Sequence, residues 1–343
     1  MCINQTDIIY RPYAAVLLMQ RARIVDIILK KEVYMLYKDW LSDWLENYVN
    51  PNSKDKTCVR YREIVQQHLI PVLGSCEITA LKPLEVQRFI AQLLINGILK
   101  NGKGLSVNSV NSIITVIQSS MSTAHTLGLI KEYEMDKLKR PKAKEKPVEC
   151  FTPSEQRLIE HAVMEDRRDK MKGIIICLYT GLRIGELLAL EWTDIDFEKA
   201  ELTVSKSCHD SEDKSGRFCR ITDAPKTSNS IRVIPLPDRI LPLLKEMKNR
   251  GHSRFVVAGK SILSVRSYQR SFELLQKNIG IPRKGFHALR HTFATRAIEC
   301  GMDVKSLSEI LGHKNSAVTL NRYVHSLMEH KRAMINRLGN NLF

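Results

Sequence analysis

The sequence predicts a mainly α-helical chain of two domains, the second of which carries a small three-stranded antiparallel sheet. Three observations lead there. Apolar residues recur at helical spacing through residues 34 to 135. The pattern stops at KLKRPKAKEK, 137 to 146, where six basic residues in ten and a proline leave no apolar period. From residue 201 the period drops to two, and helical spacing then returns.

The elements follow in order. The stretch AAVLLMQRARIVDIILKKEV, 14 to 33, is interrupted by Arg21, Arg23 and Asp26, and no basic run precedes it, so it fits one amphipathic helix better than a signal peptide or membrane span. In YMLYKDWLSDWLENY, Tyr37, Trp40, Leu41, Trp44, Leu45 and Tyr48 share a helical face. Further helices are expected at 57 to 71, 83 to 96 and 106 to 127, divided by Gly, Pro and Asn signals. After the basic segment come helices at 153 to 165 and 168 to 179, then TGLRIGELLALEW. ELTVSKS, RFCRITD and SIRVIPL read as the three strands, with DSEDKSG and APKTSNS in the turns. Helices resume at 239 to 249 and 263 to 279, continue through GFHALRHTFATR at 285 to 296, and end with 303 to 311 and 316 to 338. The resulting division is an N-terminal segment 1–33, a helical domain 34–135, a basic linker 136–147, a second domain 148–338 and a tail 339–343.

Composition narrows the function. With 343 residues, 43% of them hydrophobic, the chain can bury a sizeable core, and disorder is excluded as a class. A formal net charge of +16 favours a polyanionic partner, either nucleic acid or an acidic membrane surface. The eight cysteines are scattered without a CxxC pair, and Cys177 lies inside the apolar run GIIICLYT, as expected of free thiols in a reducing cytoplasm.

Several segments carry candidate chemistry. On a helix, His287, Arg290 and His291 would fall at i, i+3 and i+4 on one face. The H-x-x-x-H spacing suits zinc, but the Glu of H-E-x-x-H is absent and the permanent cation of Arg290 would repel a metal. Cys208, His209 and Cys219 lack a fourth ligand at finger spacing. GILKNGKG, 97 to 104, fits G-x-x-x-x-G-K, yet it puts Gly104 where a P-loop needs a hydroxyl and follows a helix instead of a strand. The remaining reading is a phosphate site, with Arg290 as a planar donor fork, His287 as a titratable donor one turn earlier and His291 turned to the core. Arg183 interrupts the apolar helix LRIGELLAL, where Glu186 at i+3 could pair with it. His313 follows Gly312, a C′ glycine ending a helix at Leu311.

Taken together, TGLRIGELLALEWTDID (180 to 196), the lysine of APKTSNSIRVIPL, HALRHTFAT and LGHKNSAVTLNRYVH (311 to 325) resemble, in order and separation, the signature segments of the tyrosine recombinase or phage integrase family. The likeness spans about residues 34 to 338 and is nearest to integrases of conjugative transposons and temperate phages. It implies the DNA breaking-rejoining enzyme fold, with both domains closing as a clamp on duplex DNA. It also implies roles for particular residues. Arg183 and Arg290 would clamp the scissile phosphate, Lys226 would protonate the 5′-oxygen leaving group, and His287 would assist proton transfer. His313 would hydrogen-bond the phosphate, Tyr323 would be the nucleophile, and Glu186 would be the supporting carboxylate. The active assembly implied is a homotetramer on two recombination sites, with room for an excisionase or host DNA-bending protein. Neither a cofactor nor a membrane is expected. The 33 residues before Tyr34 are too few for the additional arm-binding domain of many such integrases, so either simple core sites or a start farther upstream is expected.

The chemistry accounts for such a set. A phenol with a pKa near 10 is a poor nucleophile at neutral pH, and a phosphodiester's charge repels attack. Two arginines oppose the charge that builds in the transition state, and a lysine supplies the leaving alkoxide's proton. Because the phosphotyrosine keeps the energy of the broken bond, rejoining needs no ATP. Lys137, Lys139, Arg140, Lys142 and Lys144 of the linker could track the DNA backbone. The rival readings are a non-catalytic DNA-binding module of the same fold and a type IB topoisomerase-like relaxing enzyme.

Overall fold

A computed structural model describes residues 34–97, 103–143, 148–212, 218–223, 231–251, 253–257 and 262–313, together with 332, 335 and 336. The chain divides into two compact units, residues 1–145 and 146–343. The segment expected as an N-terminal helix and most of the helix expected at 316 to 338 lie outside the described residues.

Among the described residues the first unit is helical, apart from one isolated bridge between Leu36 and Glu77. α1 (Tyr37–Trp44) continues through a π turn, Leu45–Val49. α2 (Asp55–Ile64) continues through a second π turn, Val65–Leu69, into α3 (Ile70–Leu73). α4 (Pro83–Ile95) and α5 (Val107–Thr126) complete the unit, and the Ser106 hydroxyl caps α5 by accepting from the Ser109 N–H. The aromatic face of α1 is buried against α5, and each polar tip finds a partner there. The Tyr37 and Ser120 hydroxyls are 2.9 Å apart, Trp40 Nε1 donates to the Ser120 carbonyl and Trp44 Nε1 donates to Thr123 Oγ1. Buried aromatics of this kind contribute area while their N–H and O–H groups stay satisfied.

The basic segment begins as part of this unit. Leu138 is buried, the Lys139 N–H donates to Gln87 Oε1, and the Arg140 guanidinium bonds Thr115 Oγ1 and Gln118 Oε1 on α5. One apolar residue at 138 is enough to anchor a stretch whose composition reads as linker from 136 onward.

The second unit is built around α7 (Asp169–Thr180), whose GIIICL run is buried on every side. A helix apolar all round belongs in a core. Around it lie α6 (Pro153–Glu165), α8 (Ile184–Ala189), α9 (Leu241–Arg250), α10 (Val265–Asn278), α11 (His287–Glu299) and α12 (Val304–Leu311). Thr152 and Glu155 form a reciprocal capping box at the start of α6, as T-x-x-E sequences do. At the other end of α6, Lys172 curls back from α7 and its Nζ donates to the carbonyls of Val163, Met164 and Asp166 at 2.6, 2.8 and 2.9 Å. The lysine is 4% exposed, so these carbonyls replace its water.

The three-stranded antiparallel sheet is present with one exchange of strands. Its order is β1 (Ile195–Asp196), β2 (Glu201–Val204), β5 (Arg232–Pro235), with Leu202 opposite Ile234. RFCRITD, expected in this sheet, instead supplies β4 (Phe218–Asp223), which pairs with β3 (Ser207–Glu212) as a separate hairpin. Asp210, Ser211 and Glu212, expected in a turn, belong to β3, and so few residues separate β3 from β4 that the two can pair without a crossover. The edge place is taken by Ile195–Asp196, too short to show a period of two. Cys208 and His209 are neighbours on β3, and successive strand residues point to opposite faces, which separates that pair as metal ligands.

Replacing Lys172 by Met keeps the apolar stem and removes the three donors. Urea unfolding of the full chain should show the second unit losing about 2 to 3 kcal/mol. An unchanged midpoint would mean the buried ammonium contributes nothing.

Candidate nucleic-acid cleavage site

Four of the sequence-predicted residues meet where two helices of the second unit end. α7 stops at Gly181, which takes φ +66 in the left-handed region. A Cβ there would also lie 2.5 Å from Phe293 Cδ1, so glycine is required twice over. α12 stops in the same way at Gly312, φ +64, as its sequence context predicts. These two turns aim the last carbonyls of both helices at one place, and guanidinium groups fill it.

Arg290, on the first turn of α11, is 1% exposed. Its Nη1 donates to the Gly181 carbonyl at 2.8 Å and its Nη2 to the Leu311 carbonyl at 2.6 Å. The same Nη2 lies 2.9 Å from Nε2 of His313. Because an arginine N–H can only donate, His313 Nε2 accepts, which puts the ring proton on Nδ1. The sequence reading makes Arg290 an open fork; the structure shows a buried cation already seated on two carbonyls and a neutral imidazole.

Arg183 is the more open of the two arginines, its side chain 40% exposed. It occupies the N-cap of α8, with extended φ −72 and ψ 151, and not the helix interior that the apolar run LRIGELLAL suggests. Glu186 reaches back as the N3 residue. Its Oε2 accepts from the Arg183 N–H and its Oε1 from Arg183 Nη1, each at 2.9 Å. Arg183 Nη2 is 3.4 Å from the Gly312 carbonyl, which ties the start of α8 to the end of α12.

Glu186 has a second partner that the sequence reading missed. Arg232 on β5 makes a two-pronged bond to the carboxylate, Nη1 to Oε1 at 3.0 Å and Nη2 to Oε2 at 2.7 Å, while its Nε donates to the Ile310 carbonyl at 2.6 Å. The signal was present in SIRVIPL. Arg232 is in phase with the buried Ile234 and Leu236, so the alternation sends its side chain to the core face. Burial pushes the Glu186 pKa up, but hydrogen bonds and charge from Arg232, with Arg183 beside it, outweigh that and hold it at about 2.

His287 opens α11 and is exposed. Its ring meets that of His291 edge-on at 4.6 Å, so His291 is half-buried beside His287 and not turned fully to the core. Lys226 and Tyr323 lie outside the described residues, as does Lys144. Of the basic segment, Lys137 pairs with Glu134, Arg140 rests on α5, and Lys142 is exposed. Among the described residues no cluster of His, Cys, Asp or Glu could hold a metal ion, and no helix is long and apolar enough to cross a membrane.

Comparison with known proteins finds relatives along most of the chain. Residues 152–330 match the phage integrase family, and residues 36–94 match the phage integrase N-terminal SAM-like domain. A tyrosine recombinase XerC-like protein of Caldanaerobacter subterraneus subsp. tengcongensis is 29% identical over 89% of this chain and 83% of its own length. The ICEBs1 integrase of Bacillus subtilis is 26% identical over 84% of this chain and 78% of its own. The structure of the Tn1549 transposon integrase in complex with a circular intermediate DNA superposes with a TM-score of 0.70 at 25% identity, covering 88% of this chain and 99% of that one.

A carboxyl depressed in the folded state adds stability that is fully present above its unfolded pKa, here 4.5, and is lost as pH falls toward about 2. Across that window wild-type stability should fall by about 3 kcal/mol more than that of Glu186→Gln, a difference readable by thermal unfolding at stepped pH. Parallel acid profiles for the two proteins would show that the carboxylate is not held this way.

Proposed function

The chain belongs to the phage integrase family and is a tyrosine-type site-specific recombinase, and from that premise we propose that it integrates and excises a mobile element by cutting and rejoining duplex DNA through a 3′-phosphotyrosyl intermediate. The observation that carries this reading is the convergence of Arg183 and Arg290 on the carbonyls at the ends of α7 and α12, with His313 bonded to Arg290 beside them.

Each residue has a task in the proposed reaction. The phenolic oxygen of Tyr323 attacks the phosphorus, the bond from phosphorus to the 5′-oxygen breaks, and Lys226 Nζ gives that oxygen its proton. His287 takes part in moving the phenol's proton. The non-bridging oxygens face Arg183 and a hydrogen bond from His313, while Arg290 adds its charge from beneath. A buried guanidinium keeps its proton at any working pH, and in a low-dielectric site its field is worth more than in water. In the reverse step a 5′-hydroxyl of a second strand attacks the phosphotyrosine and releases Tyr323. No cofactor enters the balance.

Four copies on two DNA sites would exchange strands in this scheme, acting on DNA in the cytoplasm. The first unit and the exposed lysines near residue 142 would add phosphate contacts that position the complex without reading sequence. An excisionase or host bending protein would then set direction.

Nicked suicide duplexes drawn from DNA flanking the coding region test the reading. The wild type should form an SDS-resistant adduct in EDTA, Tyr323→Phe none, and Lys226→Ala an adduct about 100-fold more slowly. Adduct formation that persists without the phenol, or that requires a divalent ion, would sink it. DNA binding without any adduct would favour a non-catalytic module, and relaxation of plasmids lacking a recombination site would favour a relaxing enzyme.

A further inference from the structure

Three charged side chains, Arg183, Glu186 and Arg232, meet at the start of α8, and only Arg183 has a part in the reaction just described. Glu186 is 8% exposed by its side chain and Arg232 7%, whereas Arg183 stands 40% exposed beside them. The carboxylate has four acceptor positions and all are used: two by Arg232, one by the Arg183 side chain and one by the Arg183 backbone. In charge the trio sums to plus one. Without Arg232 it sums to zero, because Arg183 would be the sole partner of a buried carboxylate.

We propose that Arg232 is a positioning residue of the phosphate clamp, which takes up the charge of Glu186 so that Arg183 presents an uncompensated positive charge to the scissile phosphate. The inference rests on the functional reading above, in which Arg183 faces the substrate. Three further features agree with it. Arg232 is placed to neutralise but not to touch DNA, since its fork is spent on Glu186 and its Nε on the Ile310 carbonyl. Its guanidinium also packs under Gly312, where an added Cβ would come within 3.0 Å of Nη1, so it supports the turn that presents His313. Finally, β5 begins at Arg232, six residues after Lys226, so the clamp and the proposed acid are neighbours along the sequence.

A buried ion pair broken on one side leaves the other charge to find what partner it can. In Arg232→Met that partner is Arg183, whose charge would be cancelled where it is needed. Removing the carboxylate as well should return it. This gives a test in which the second substitution repairs the first in cleavage rate, while DNA affinity stays the same throughout.

The experiment measures adduct formation at saturating protein on the nicked duplex, with Tyr323→Phe as the adduct-free control. Arg232→Met should cleave about 50-fold more slowly than wild type with little change in DNA affinity, a loss of transition-state stabilisation alone. Glu186→Gln/Arg232→Met should recover about tenfold or more of that loss, and Arg232→Lys, which keeps the charge, should stay within about tenfold of wild type. Should Arg232→Met fail to fold, those two variants carry the decision by the same limit. A double variant as slow as Arg232→Met or slower, or a lysine variant below the limit, overturns the proposal. Absence of adduct from the wild type is a different result, which removes the functional reading itself.

Discussion

The Glu186 carboxylate, 7% exposed and gripped by two arginines, is the interaction on which the arrangement of the second unit's site depends. A lone carboxylate at that depth would cost several kcal/mol or take up a proton. It stays ionised because its oxygens receive four N–H groups from two different elements. Those bonds fix the first turn of α8 against β5, two stretches of chain with no backbone ladder between them. Arginine serves here better than lysine would. A planar fork can hold both oxygens at once and still leave Nε for a carbonyl, whereas an ammonium is a point charge.

The same logic explains why the cations lie where they do. Each helix leaves its last carbonyls without intrahelical partners, and the partial negative charge there attracts cations. Left-handed Gly181 and Gly312 end α7 and α12 so that these carbonyls point inward together, and three arginines satisfy them: Arg290 at Gly181 and Leu311, Arg232 at Ile310, Arg183 at Gly312. Positive charge that would be expensive in an apolar core is thereby held by helix ends and one carboxylate. Lys172 at the end of α6 repeats the device away from the site, so capping by buried cations is a general habit of this unit.

Much of this was legible in the sequence, for identifiable reasons. Helices with strong periodicity, such as α5 and α10, came out nearly at their observed limits, because a single buried face fixes both phase and length. The ends of α7 and α12 were marked by glycine, which αL turns demand. Pairing between strands was less legible: period two identifies a strand but not its neighbour, so β4 was expected in the wrong sheet and the two-residue β1 was missed. At the site, the motifs identified Arg183, Glu186, Arg290 and His313, which the fold brings together. They could not tell that Arg290 would be buried, since burial depends on carbonyls distant in sequence. Arg232 was overlooked because an arginine in a strand reads as a surface residue unless its phase against Ile234 is counted.

Charge acts on two scales in this chain, and the solvent treats them differently. The excess of +16 is spread over the sequence, and exposed charges separated by more than about 8 Å are largely screened at physiological ionic strength. That charge governs encounter with DNA, and salt weakens it as counterions are released less favourably. The cluster of Arg183, Arg232, Glu186 and Arg290 is held by bonds of 2.6 to 3.4 Å in a water-poor setting. Mobile ions cannot enter between partners at that separation, so its field at a bound phosphate persists when the long-range field has faded. In the proposed reaction binding and bond-breaking would thus draw on separate stores of positive charge, and a change in ionic strength would act mainly on the first. A surface lysine and a buried arginine are for that reason not equivalent units of the same net charge. In the proposed reaction the first would bring the polyanion to the protein, and the second would lie beneath a phosphate that faces Arg183 and His313.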